Sequence, residues 1–105
     1  MTQVELYTQL KTLGIPNVEY GEFTQPTKLP FIVYYFVNDN DLKADNYNYA
    51  EISNFRIELY TVKKDLTKEA LVQNKLKELR LPYSKLEAYI QTENMRQVIY
   101  EIQLI

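Results

Sequence analysis

Four carboxylates lie close together in the middle of the chain, and their types and spacing are the nearest approach to a chemical site. Asp39, Asp41 and Asp45 share one short polar segment, and Glu51 follows it. Clustered oxygens of this kind suit a hard cation such as Ca²⁺. The EF-hand pattern fails because three of its ligand positions carry Lys43, Tyr47 and Ala50. We therefore predict an acidic loop without a metal, and a small metal-dependent hydrolase stays as an alternative.

Most other catalytic chemistry is excluded by composition. The chain has no histidine and no cysteine, so the commonest general base, the thiol nucleophile, disulfides and the usual zinc ligand sets are all missing. Gly14 and Gly21 are the only glycines, which leaves no glycine-rich loop to bind phosphate. The sequence therefore predicts a protein that is not an enzyme and that uses no cofactor.

Tyrosine is unusually frequent, with ten in 105 residues. Eight of them lie on or beside predicted strands: Tyr34, Tyr35, Tyr47, Tyr49, Tyr60, Tyr83, Tyr89 and Tyr100. Tyrosine suits both strand packing and protein interfaces, because it combines a large ring with a polar tip. A stacking platform for single-stranded nucleic acid is the alternative. A net charge of −2 and the lack of an RNP pattern argue against specific binding of nucleic acid.

Two helices are predicted to support these strands. Thr2 and Glu5 form a capping-box pattern at the start of the first helix. Its apolar residues follow at helical spacing, namely Leu6, Leu10 and Leu13. Asp65 is a suitable N-cap for the second helix, which Pro82 follows. Its predicted apolar stripe is Leu66, Ala70, Val72, Leu76 and Leu79.

Five strands complete the prediction. A short strand over 18–23 precedes a long hairpin over 28–61, whose strands are joined by a loop over 38–50 that contains no glycine. Two further strands meet at a turn formed by residues 92–94. The predicted fold is one α+β domain over 1–105, a mainly antiparallel sheet with two helices packed on it, in the order α-β-β-β-α-β-β. No apolar run is long enough to span a bilayer, so no membrane partner is expected.

The first strand of the hairpin is apolar on both faces, which is typical of a strand covered on both sides. One face carries Phe31, Val33, Tyr35 and Val37, and the other carries Ile32, Tyr34 and Phe36. Two helices are few for covering both faces of a sheet, so a partner is an even alternative to full burial within the chain. The charge is also divided, because residues 1–62 are net acidic and residues 63–105 are net basic. That division suits either head-to-tail contact between copies or a solvated helix face.

Four segments resemble a family of small phage and prophage proteins. They are 28–34 (KLPFIVY), 44–49 (ADNYNY), 55–61 (FRIELYT) and 97–102 (QVIYEI). The family comprises the tail-completion proteins, also called tail-terminator or head-to-tail joining proteins, of long-tailed phages that infect Gram-positive bacteria. The resemblance covers most of the chain in length and element order.

The resemblance implies a virion protein at the head-tail junction, assembled in the bacterial host cytoplasm. Its partners would be other copies of itself in a ring of six, the tail tube protein and the head connector proteins. The 38–50 loop would contact a neighbouring subunit or the tube. The expected interface residues are Ile32, Tyr34, Phe36, Asp39, Asp41, Ala44, Asp45, Asn46, Tyr47, Tyr49, Lys63 and Lys64.

Overall fold

The computed structural model describes residues 1–21, 28–39, 42–44 and 47–104, with 42–44 and 47–50 described as backbone. Its helices are α1 (Gln3–Lys11) and α2 (Leu66–Glu78), and a 3₁₀ turn covers Gln91–Glu93. Its strands are β1 (Asn17–Tyr20), β2 (Phe31–Asp39), β3 (Leu42–Ala44), β4 (Tyr47–Ala50), β5 (Ser53–Thr61), β6 (Ser84–Ile90) and β7 (Met95–Leu104). The α+β fold class is confirmed.

Five strands form one mixed sheet in the order β1-β2-β5-β7-β6. β1 runs parallel to β2, and all other pairs in this sheet are antiparallel. The remaining strands, β3 and β4, pair with each other in a separate two-stranded sheet. The segment predicted as a plain loop therefore contains a small hairpin of its own.

The first helix begins at the predicted capping box. The Glu5 backbone N–H donates to Thr2 Oγ1 at 3.1 Å, and the Thr2 N–H donates to Glu5 Oε1 at 3.2 Å. Leu6 and Leu10 are buried against the sheet. Tyr7 lies beside them with its ring 6.0 Å from the ring of Tyr34. The local sequence thus fixes both the start of α1 and the face it presents to the core.

The second helix packs on the same face of the sheet as the first. Val72 and Leu76 are fully buried in the core cluster, and Gln73 accepts a hydrogen bond of 3.0 Å from Tyr100 Oη. The predicted stripe is correct at these two apolar positions, whereas Leu66 is exposed. The buried acidic residue Glu69 occupies part of the face instead, because two lysines neutralise it there.

The end of α2 holds a non-glycine residue in the left-handed region, Arg80, with φ of 58°. The Leu81 N–H bonds to the Leu76 carbonyl and the Arg80 N–H bonds to the Lys77 carbonyl, as in a Schellman motif. Glycine is favoured at this position because a Cβ is strained in the left-handed region. Arg80 therefore weakens the helix end relative to glycine.

Arg80→Gly is expected to stabilise the protein by about 1 kcal/mol, because it removes this strain while keeping both backbone hydrogen bonds. Urea denaturation followed by circular dichroism will measure the change as a rise in the midpoint at unchanged slope. The matched control is Lys77→Gly, one turn earlier in the helical region, where glycine should destabilise by about 1 kcal/mol. An equal loss of stability in the two variants would contradict the argument that the backbone of Arg80 is strained.

The five-stranded sheet has two different faces. The helix-covered face carries the core residues of the central strands, including Ile32, Tyr34, Ile57, Leu59, Val98 and Tyr100. The open face carries the alternate residues of the same strands, including Val33, Tyr35, Glu58, Tyr60, Gln97 and Ile99. Neither helix packs its buried residues on the open face. No helix in the described part of the chain is long and apolar enough to cross a membrane.

Candidate interaction surfaces

The arm, which we define as residues 40–52 between β2 and β5, is the first candidate surface. It leaves the sheet after Asp39 and returns at Ser53, and these two residues pair across the strands. Because they are already paired, a two-residue turn would be long enough to connect β2 and β5. The chain is elongated, because it extends over 50 × 28 × 22 Å. Its radius of gyration of 14.7 Å exceeds the ~13 Å of a compact chain of this length.

The predicted interface residues of this segment fall into three groups. Asp39 is exposed at the end of β2. Ala44 is the last residue of β3, and Tyr47 and Tyr49 belong to β4. Asp41, Asp45 and Asn46 lie outside the described residues. Among the described residues, no group of three or more acidic side chains is placed to bind a metal ion.

The apolar residues predicted for the interface on β2 separate along the strand. Ile32 and Tyr34 are buried in the core beneath the helices, so neither presents surface to a partner in the folded monomer. Their burial has a simple cause, because both helices lie on this face. Phe36 is on the same face, but it is 42% exposed. Its ring packs edge-on against Phe55, at 5.9 Å between centroids.

The two lysines predicted for the interface have different surroundings. Lys63 is exposed, and its backbone carbonyl accepts a hydrogen bond from the Thr61 hydroxyl at 2.8 Å. Lys64 instead joins an ion cluster, in which its ammonium lies 3.0 Å from Glu69 Oε2 and also bonds to Glu87. Lys85 completes the cluster at 2.6 Å from Glu69 Oε1. The cluster ties β6 to α2, so part of the predicted basic surface is neutralised within the monomer.

A second candidate surface is the open face, which holds a buried carboxylate at its centre. Glu58 is only 8% exposed although neither α1 nor α2 covers it. The hydroxyls of Tyr35 and Tyr60 each donate to this carboxylate at 2.6 Å. Gln97 Nε2 donates to Glu58 Oε1 at 3.3 Å and to Tyr60 Oη at 2.8 Å. The rings and the amide thus form a polar network that shields the carboxylate from water.

This network shapes the face rather than supporting a reaction. Burial and the hydrogen bond to Glu58 raise the pKa of both Tyr35 and Tyr60, so neither phenol supplies a proton or a phenolate near neutral pH. Phe31 stacks on Tyr60 with 4.7 Å between ring centroids. The result is an aromatic surface whose side chains are held by stacking and hydrogen bonds, which suits contact with a protein.

Several ionisable groups make stability depend on pH at the two extremes. Backbone hydrogen bonds lower the pKa of the caps Glu5 and Asp65, and the Lys64 ammonium lowers that of Glu87. Burial raises the pKa of Tyr34 to about 12. Lowered carboxylate pKa values stabilise the fold above the unfolded values, and raised tyrosine pKa values stabilise it below the unfolded value.

We therefore expect a melting temperature that is level between about pH 6 and pH 9, because the chain contains no histidine or cysteine. It should fall as the pH drops below the unfolded carboxylate values of 4.5 and 3.8, and fall again as the pH rises from 10.0 towards 12. Thermal unfolding across pH will measure both limits. Tyr34→Phe should weaken only the fall in melting temperature at alkaline pH. A change in melting temperature near pH 7 would contradict the assignment of the pH dependence to these carboxylates and tyrosines.

The burial of two carboxylates, Glu58 and Glu69, could not be predicted from the sequence. Glu58 lies between Ile57 and Leu59 in the sequence, an alternation that is typical of a solvent-facing side chain, and Glu69 precedes Ala70 of the predicted apolar stripe. The available signal for Glu58 was weak: an acidic residue two positions from Tyr60, with Tyr35 on another strand. Only the strand register shows that these side chains meet.

Comparison with known proteins shows a similarity in fold. No family model and no curated protein matches the sequence. The structure resembles a chain in the virion of a native gene transfer agent particle, with a TM-score of 0.63 over 93% of this chain and 88% of that chain. Sequence identity between the two is 15%. The chain therefore shares its fold with a chain of that virion.

Proposed function

We propose that the protein is a non-enzymatic virion assembly protein that forms a ring at the end of the tail tube and joins it to the head connector. The observation that carries the proposal is the arm. It is a hairpin inserted between two adjacent strands that a two-residue turn could connect. The similarity in fold to a gene transfer agent virion chain supports a place in a virion. The resemblance of the sequence to tail-completion proteins supports the head-tail junction as that place.

A ring requires one surface of each copy to meet a different surface of the next copy. The first surface in this proposal is the acidic arm, flanked by Asp39 and carrying further carboxylates in its sequence. The second is the basic region around α2, in which Lys63 before the helix, Lys77 in its last turn and Arg80 after it are exposed and have no ion pair with another described residue. Opposite charges on the two surfaces would guide neighbouring copies into the correct orientation.

The nucleic-acid alternative is less well supported by the open face. Phe31, Tyr35 and Tyr60 do form an aromatic surface on neighbouring strands. However, the carboxylate of Glu58 lies at its centre, and Glu101 lies at the edge beside Arg56 at 3.8 Å. Negative charge under a stacking platform repels the phosphates that single-stranded nucleic acid would bring.

Deletion of the gene from the phage or prophage tests the proposal by electron microscopy of the resulting lysate. We expect filled heads and separate tails, or tails of uncontrolled length, with joined particles restored when the gene is supplied from a plasmid. The plasmid carrying a stop codon at Gln3 is the matched control. Normal joined virions without the protein would refute the assignment.

A further inference from the structure

The two edges of the five-stranded sheet differ in how well they are protected. β1 is a short edge of four residues, whereas β6 is a seven-residue edge with no proline or glycine. Along β6 nearly every residue is exposed, and Leu86 and Tyr89 are 53% and 49% exposed. Such an edge presents unpaired backbone groups to any strand that can pair with it.

Proteins commonly block an exposed edge with charged side chains. β6 carries Lys85 and Glu87, but both side chains take part in the ion cluster with Glu69 and Lys64. Their charges are balanced inside the monomer, so they do not repel a second strand. Both remain within reach of one, because the side chains of Lys85 and Glu87 are 31% and 41% exposed.

The sequence of β6 is complementary to itself in one antiparallel register. When Leu86 lies opposite Leu86 of a second strand, Lys85 lies opposite Glu87 and Glu87 lies opposite Lys85. The residues on the same face as Leu86 also match, because Ser84 lies opposite Ala88 of the second strand. Opposite charges and paired apolar residues across strands both stabilise a sheet. A shift to the register centred on Glu87 would place two carboxylates opposite each other.

We propose that β6 is the contact surface for a second copy of this chain, in a two-fold antiparallel pair centred on Leu86. Leu86 extends a cross-strand row on the open face, since it pairs with Ile99 of β7 within the monomer. The pair joins the two sheets into one continuous sheet, covers the exposed Leu86 of each copy and places the two ion clusters side by side.

The two-fold pair is separate from the contacts of a ring around the tail axis. A cyclic ring uses head-to-tail contacts, whereas a two-fold pair uses the same surface on both copies. The pair therefore belongs to the free protein, where it covers the edge most exposed to unwanted strand pairing. Its existence can be tested on purified protein without any virion.

Cysteine cross-linking gives a direct test because the natural chain contains no cysteine. Opposed residues in an antiparallel pair have Cα atoms about 4.5–5.5 Å apart, within the range of a disulfide. Leu86→Cys should therefore form a covalent dimer under mild oxidation. Ser84→Cys and Ala88→Cys should each stay uncross-linked alone, because equivalent residues then lie about 13 Å apart along the strand. A mixture of these two variants should cross-link.

Light scattering on the unmodified protein provides the second measurement, with an expected mass of two chains. Leu86→Lys should weaken the pair roughly 100-fold, because it replaces a buried apolar contact with two like charges at the axis. Val4→Lys, on the outer side of α1, is the exposed control and should leave the mass unchanged. A mass of one or six chains for the unmodified protein, or cross-linking of Ser84→Cys alone, would overturn the proposal.

Discussion

Replacement of residues 40–52 with Asn-Gly is expected to give a folded protein that no longer joins tails to heads. The design follows from the register, because Asp39 and Ser53 already form a cross-strand pair that a two-residue turn can close. The core cluster of the described residues is formed by the five-stranded sheet, the two helices and the segment that follows α1, so stability should stay the same or rise slightly as the connection shortens. Complementation of the deletion phage with this variant, followed by electron microscopy, will show whether joined virions form.

The control for the arm replacement alters the other antiparallel connection of the sheet. Insertion of Gly-Ser-Gly after Glu93 lengthens the turn between β6 and β7 and leaves the arm intact. This variant should fold and still complement the deletion. Circular dichroism and thermal unfolding of both variants must first show a native-like fold. Efficient head-tail joining by the variant without the arm would remove the arm from the proposed assembly surface.

The local features of the fold could be predicted because they depend on residues close in sequence. The capping box at Thr2 and Glu5 and the N-cap at Asp65 both mark helix starts that the structure confirms. The alternation of apolar and polar residues along β7 likewise matches its buried face, which is formed by Val98, Tyr100, Ile102 and Leu104. Each of these patterns lies within a single helix or strand, so the sequence of that element is enough to predict it.

The features that were not predicted depend on how distant elements are arranged. Both faces of β2 are apolar, so its sequence did not reveal that the helices cover Ile32 and Tyr34. The burial of Glu69 depends on Lys64, which lies before α2, and on Lys85 of β6, because both lysines neutralise its charge. The β3–β4 hairpin was missed because its short strands carry no glycine turn to mark them. Long-range packing decides each of these cases.

Tyr100 has the largest buried side chain among the fully buried core residues. It lies on β7 between Ile57 of β5 and Lys85 of β6, which places it among the central pairs of the sheet. Its ring packs edge-on against Tyr83, with 5.5 Å between centroids, and its hydroxyl donates to Gln73 Oε1 at 3.0 Å. Burial also raises its pKa, which keeps the phenol protonated at any ordinary pH. One side chain therefore joins β7, α2 and the segment that leads into β6.

Tyr100→Ala is expected to destabilise the protein by about 3–5 kcal/mol, because the lost ring leaves a cavity that the fixed sheet cannot close. That loss is a large fraction of the roughly 5–15 kcal/mol that stabilises a domain of this kind. Tyr100→Phe keeps the ring and should cost only about 1 kcal/mol for the lost hydrogen bond to Gln73. Urea denaturation will measure both, with Tyr89→Ala on the exposed edge as the control. Similar losses for Tyr100→Ala and Tyr89→Ala would show that this ring does not hold the core together.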